Sequence, residues 1–158
     1  MSSHRHFKIH KPWGYLSQFI SNGVLKQKHH YLGELYDFPE GTMAIGRLAL
    51  QSEGLLLLTT DGQFSHEITS RKYEKEYYVQ VDGEIDDQAL KLLAEGVSIS
   101  IEGQNYLTLP GKAKRIPDPG FAPRIKKVRD DRHGPSSWIS ITINEGKFRQ
   151  VRKMTAAV

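Results

Sequence analysis

The 158-residue chain contains no cysteine, which excludes disulfides and thiolate zinc sites. No apolar run approaches the ~18 residues that a membrane-spanning helix requires. Met1-Ser2-Ser3-His4-Arg5-His6 lacks the apolar core of a secretion signal. These absences agree with a cytoplasmic protein that does not engage a membrane. The histidines His4, His6, His10, His29-His30, His66 and His133 do not reach ligand spacing with nearby carboxylates, so no metal site is expected. Internal repeats and low-complexity tracts are also missing. What is left is a single globular domain over residues 1–158, long enough to bury a substantial core.

Positive charge is scarce early in the chain. Residues 1–100 hold 10 Lys+Arg against 13 Asp+Glu, whereas residues 101–158 hold 12 against 5, giving −3 and +7. A polyanion is the natural partner of such a basic third, because phosphate neutralisation releases counterions. On charge alone a solvated basic surface is the simpler reading.

Phe7-Lys8-Ile9-His10 alternates apolar and polar residues, as a short half-buried strand does. Residues 20–40 read as irregular, with turn signals at Asn22-Gly23 and Pro39-Glu40-Gly41. The leucines at 55–58, between Gly54 and Thr60-Asp61-Gly62, predict a fully buried strand over 54–59. Phe64 and Ile68 predict a short amphipathic helix over 63–70. A strand over 74–82 follows. Asp86 and Asp87 then open a helix striped with Ala89, Leu90, Leu92 and Leu93, and Gly96 closes it. Residues 97–101 and 139–143 alternate as strands, and another begins at Tyr106 before Pro110-Gly111 stops it. Residues 117–123 form a proline-rich loop, and 147–157 reads as a helix. The set predicts an α+β domain on a mixed, mainly antiparallel central sheet with flanking helices.

Three segments carry chemistry. The first, GRLALQSEGLLLLTTDG over residues 46–62, sets Arg47 and Gln51-Ser52-Glu53 in a loop against a rigid strand. Taken singly, these are a surface arginine and ordinary turn residues. The second, Lys75-Glu76-Tyr77-Tyr78-Val79, puts two tyrosines on opposite faces of a strand. The third, Glu145-Gly146-Lys147-Phe148-Arg149-Gln150-Val151-Arg152-Lys153-Met154, sets Arg149, Arg152 and Lys153 at i, i+3 and i+4 on one face of the predicted helix. A weaker fourth segment is Lys11-Pro12-Trp13-Gly14-Tyr15-Leu16-Ser17-Gln18-Phe19. Arg124, Lys126, Lys127, Arg129 and Arg132, interrupted by Asp130-Asp131, form a basic stretch read as solvated surface that helps to hold nucleic acid.

Over essentially the whole chain these segments resemble the RsuA-type family of bacterial ribosomal pseudouridine synthases. The first resembles G-R-L-D-x-x-S-E-G-L-L-L-L-T-x-D-G, the second K-x-Y, and the third E-G-x-x-R-Q-V-R-R-M. The fourth is similar to the start of the E-type branch of the family, whose members act on large ribosomal RNA. The resemblance implies the family fold and isomerisation of a uridine in ribosomal RNA, without metal or cofactor. The RNA would be met as a stem-loop or pre-ribosomal fragment, by a monomer. It further implies that Tyr77 stacks on the flipped uracil, replacing the stacking lost from the RNA. Arg152 would pair with the catalytic aspartate, and position 49, Tyr77 and Arg152 would line one cleft with Arg47 at its rim. Lys11, Lys75, Arg149 and Lys153 join Arg47 as RNA contacts. Lys147 and Lys153 stand where Arg is frequent in the family, keeping the charge without its bidentate geometry.

Two departures qualify this. Where the family has its catalytic aspartate, this chain has Ala49. A methyl group is neither nucleophile nor base, so the chain as written is expected to be inactive. The intact remainder of the motif favours an introduced Asp→Ala change over a drifted pseudoenzyme. The chain also stops at Val158, where the family pattern continues into a closing strand, so it reads as truncated, and no S4-like domain is expected before Lys11. The alternative reading is a non-catalytic RNA-binding or ribosome-assembly protein on the same fold.

Overall fold

A computed structural model describes residues 3–19, 30–122 and 135–158. These fall into two compact units, residues 1–70 and 71–158. The turn read at Asn22-Gly23, His29, His133 and the basic stretch at 124–132 lie outside the described residues.

The first unit is organised by the leucine run. Strand β5 (Gly54–Thr59) lies between β1 (His6–Lys11) and β4 (Met43–Ile45), both antiparallel to it. Leu56 and Leu58 oppose Ile9 and Phe7, and they close a core with Leu32, Phe19 and Phe38. Burial of each such side chain is worth roughly 1.5–3 kcal/mol. The prediction of a fully buried strand needs correction. Leu55 is 68% exposed and Leu57 half-buried, because successive side chains of a strand face opposite ways and only one face meets this core. Two short strands, β2 (Tyr15–Leu16) and β3 (His30–Tyr31), pair in parallel. Neither they nor β4 were legible in sequence, being two or three residues long. Asp61 is less a turn residue than a cap: its carboxylate accepts the Gln63 amide (3.0 Å) and starts α1 (Gly62–Ile68).

In the second unit β10 (Ser136–Ile143) lies between β6 (Lys75–Asp82) and β9 (Lys112–Ile116), again antiparallel. Helix α2 (Asp87–Glu95) is capped by Asp86, which accepts the Ala89 amide at 2.7 Å, and a hairpin of β7 (Ser98–Ile101) and β8 (Gln104–Leu107) follows. The core joins Leu93, Ile99, Ile139, Ile141, Ile143 and Met154. Leu92, placed in the predicted stripe, is instead 44% exposed. Helix α3 (Gln150–Ala156) begins three residues later than predicted. The α+β class and the antiparallel pairing stand as predicted.

Candidate functional site

The first unit carries the loop of residues 46–53 and the means to hold it. Gly54, with φ +130°, leads from this loop into β5. Ser17 and Leu48 exchange hydrogen bonds: the hydroxyl donates to the Leu48 carbonyl (2.9 Å) and accepts the Leu48 amide (3.0 Å). The Gly14 amide donates to the Leu50 carbonyl (2.9 Å), and the Ser52 amide closes a turn on the Ala49 carbonyl (2.9 Å). Ala49, half-buried, is thus fixed from both sides, and Arg47 is exposed on the same loop. The Lys11-to-Phe19 segment therefore acts as the loop's scaffold, a role that its sequence did not reveal.

Lys11 sits at the base of that scaffold. It is fully buried, and its Nζ donates to the carbonyls of Pro12 (2.9 Å) and Tyr15 (2.8 Å). Burial lowers its pKa to about 8, against the opposing pull of the Glu53 charge. An ammonium in this position braces the 12–15 turn and presents no surface to a phosphate.

In the second unit Tyr77 and Tyr78 alternate across β6 as expected. Tyr77 packs half-buried against the core opposite Ile141, and burial raises its pKa. Its phenol therefore stays protonated through the neutral range. Tyr78 is on the other face, 48% exposed and stacked with Phe121 at 6.0 Å between ring centroids. Lys75, half-buried, begins the same strand.

The third motif folds differently from its prediction. Arg149 precedes α3 in a left-handed conformation, φ +52°, and is exposed. It therefore does not share a helical face with Arg152 and Lys153. The cause is Gln150, whose side-chain carbonyl accepts the Lys147 amide (3.0 Å) and holds residues 147–150 in a turn ahead of the helix. Arg152 is half-buried on α3. The Lys153 ammonium donates to the Ser100 carbonyl (2.9 Å) and lies 5.3 Å from the centroid of the Phe148 ring.

Beneath this turn is a buried carboxylate, Glu145, to which its sequence motif assigns no role. Glu145 accepts hydrogen bonds from the Tyr106 hydroxyl, the Leu109 amide (2.9 Å) and the Gln150 side-chain amide (2.8 Å). Burial pushes its pKa up, but those three donors and the Arg71 charge outweigh it and hold the group below its ordinary value of 4.5. One clue was available: it is the lone carboxylate in the basic run that ends the chain. Among the described residues, no group of His, Asp and Glu side chains is arranged to hold a metal ion.

Comparison with known proteins agrees with the motifs. A family model described as RNA pseudouridylate synthase matches residues 5–157. The chain is 39% identical over 153 residues to the ribosomal large subunit pseudouridine synthase E of Xanthomonas campestris pv. campestris, covering 95% of this chain and 78% of that protein. It is 38% identical over 152 residues to the synthase E of Vibrio parahaemolyticus, covering 95% of this chain and 60% of that one. A ribosomal large subunit pseudouridine synthase B from Bacillus subtilis is 32% identical over 155 residues, 97% of this chain and 56% of its own length. Among solved structures, one titled as a crystal structure of pseudouridylate synthase superposes with a TM-score of 0.71 at 30% identity, over 99% of this chain and 58% of that one.

Proposed function

The chain belongs to the RNA pseudouridylate synthase family, and from that premise we propose that it is a ribosomal-RNA pseudouridine synthase domain whose chemistry is disabled at Ala49 and whose RNA-binding frame is intact. The observation that carries this reading is the 46–53 loop. Its hydrogen bonds to Gly14 and Ser17 are made and Arg47 is exposed, yet position 49 offers only a methyl group.

The reaction is an isomerisation: the C–N glycosidic bond of uridine breaks, the uracil turns, and a C–C bond forms to the same sugar. No atom is gained or lost, so no co-substrate is required. In this reading a carboxylate at position 49 starts the reaction at the sugar–base unit, and Arg152 keeps it ionised, since a nearby cation lowers an acid's pKa. Tyr77 stacks on the flipped base. Its neutral hydroxyl is available for proton transfer. Arg47 and Arg149 contact phosphates, with Lys75 and Lys153 in lesser roles. Lys11 moves from phosphate contact to support of the loop. The partner is a ribosomal RNA stem-loop or pre-ribosomal fragment, met by a monomer in the cytoplasm. No described helix is long and apolar enough to cross a membrane.

Ala49→Asp tests the reading. The restored protein should convert uridine to pseudouridine in ribosomal RNA fragments without added metal or nucleotide, several powers of ten faster than the Ala49 form. Arg152→Ala should then abolish most of the recovered turnover, while changing RNA affinity little in the Ala49 background. Ala49 also favours a second reading, a non-catalytic RNA-binding or ribosome-assembly protein. Failure of Ala49→Asp to turn over any ribosomal RNA substrate would decide for it.

A further inference from the structure

We propose that Glu145 is a positioning residue for Arg152, acting through Gln150 at the start of α3. The inference rests on the catalytic reading of Arg152 given above, and it begins from a helix that lacks an ordinary cap. The residue before α3 is Arg149, held left-handed, and its side chain caps nothing. An unaided helix start of this kind frays.

Gln150, the first helical residue, takes over the task. It is 3% exposed. Its carbonyl oxygen accepts the Lys147 amide, while its own backbone amide donates to the Lys147 carbonyl at 3.1 Å. Its side-chain nitrogen donates to Glu145 at 2.8 Å and lies 3.6 Å from the Met154 sulfur one turn on. Both ends of the Gln150 amide are thereby fixed, and its orientation is set by the carboxylate below. Glu145 is held in turn by the Tyr106 hydroxyl from β8 and the Leu109 amide.

The anchor therefore runs from the β7–β8 hairpin through Glu145 and Gln150 to the first turn of α3. Arg152 is two residues farther on, in that same turn. A buried anion with three donors is costly to disturb, because removing the charge leaves the donors without a full complement of acceptors. Small misplacements of a catalytic group cost rates of up to a hundredfold.

Two variants test this. In the protein as it stands, Glu145→Gln keeps size and shape but sets an amide against three donors. Amide hydrogen exchange at Arg152, Lys153 and Met154 should accelerate about tenfold or more, with β10 amides unchanged. Tyr106→Phe, which removes one donor and keeps the ring, should do the same to a smaller extent and remains informative should Glu145→Gln not fold. In the Ala49→Asp enzyme, Glu145→Gln should lower kcat about tenfold or more while KM for RNA stays within about twofold. Adding Arg152→Ala should bring no loss beyond that of Arg152→Ala alone. Unchanged exchange in both variants would overturn the proposal, as would equal kcat losses with and without Arg152. An Ala49→Asp enzyme that never turns over defeats the catalytic reading, and the exchange experiment then decides whether the anchor exists.

Discussion

Burying an ammonium is unfavourable unless carbonyls replace its lost water. Lys11 meets that condition with Pro12 and Tyr15, and its lowered pKa records the cost that remains. In the unfolded chain the same group titrates near 10.5. Between about 8 and 10.5 the unfolded form thus binds a proton that the folded form has released, and stability rises with pH across that window. The rise attributable to Lys11 should be on the order of 3 kcal/mol. Urea unfolding of the parent and of Lys11→Met across this range isolates it, since other titrations are common to both. Parallel curves for the two proteins would show that the ammonium is not buried as described. Sequence alone could not separate this lysine from a phosphate contact, because both roles are filled by a lysine beside a proline turn. Arg47 lay at the other extreme: its exposure follows from a glycine-flanked polar loop.

At the scale of elements, alternation was a sound guide, and the acidic pair Asp86-Asp87 marked the start of α2. β1, β7 and β10 are marked by apolar residues at every second position, and β6 by its β-forming residues from Tyr77 to Val81. β9 carries no such mark, because Lys112-Ala113-Lys114-Arg115-Ile116 turns its cations outward from a sheet edge, as edge strands that avoid further pairing do. The start of α3 was missed because a side chain, Gln150, does work there that the sequence pattern assigns to backbone. The end of α2 was read correctly at Gly96, and the structure shows a second reason for that glycine. Its φ is +125°, and a Cβ there would lie 2.5 Å from the Thr108 carbonyl oxygen. Thr108 is buried, accepts the Val97 amide on its hydroxyl (2.8 Å) and donates its own amide to the Val97 carbonyl (2.9 Å), so it has no room to retreat. Gly96→Ala should therefore destabilise the protein by roughly 3 kcal/mol. Gly83→Ala supplies the comparison: its φ is +68° but no atom lies within 4 Å, and roughly 1 kcal/mol is expected. Thermal denaturation of both variants measures the difference, and equal losses would mean that the close approach to Thr108 is not the constraint.

For the molecule as a whole, the charge distribution is compatible with a polyanionic partner but does not separate it from a solvated basic surface, and it does not say which side chains would meet such a partner. Of the 12 cations in residues 101–158, five lie with Asp130 and Asp131 in the 124–132 stretch, outside the described residues. Those inside differ in their availability. Arg149 is exposed, as is Arg47 in the first unit, whereas Lys153 is engaged with Ser100 and Phe148, and Lys11 is enclosed. These differences predict how RNA affinity responds to salt. Each phosphate neutralised on a single strand steepens the slope of log K against log salt by about 0.7. The Ala49 protein should bind ribosomal RNA fragments with a steep negative slope. Arg47→Ala and Arg149→Ala should each flatten it by about 0.7. Lys153→Met should flatten it by less than either, since one donor of its ammonium already serves Ser100. Lys11→Met should leave the slope unchanged even where it weakens binding through the loop. Fluorescence titrations of a labelled RNA hairpin at several salt concentrations give all five slopes. Arginine variants with the parent's slope would remove Arg47 and Arg149 from the interface, leaving the basic third as a solvated surface. A slope flattened by Lys11→Met would return that lysine to the RNA.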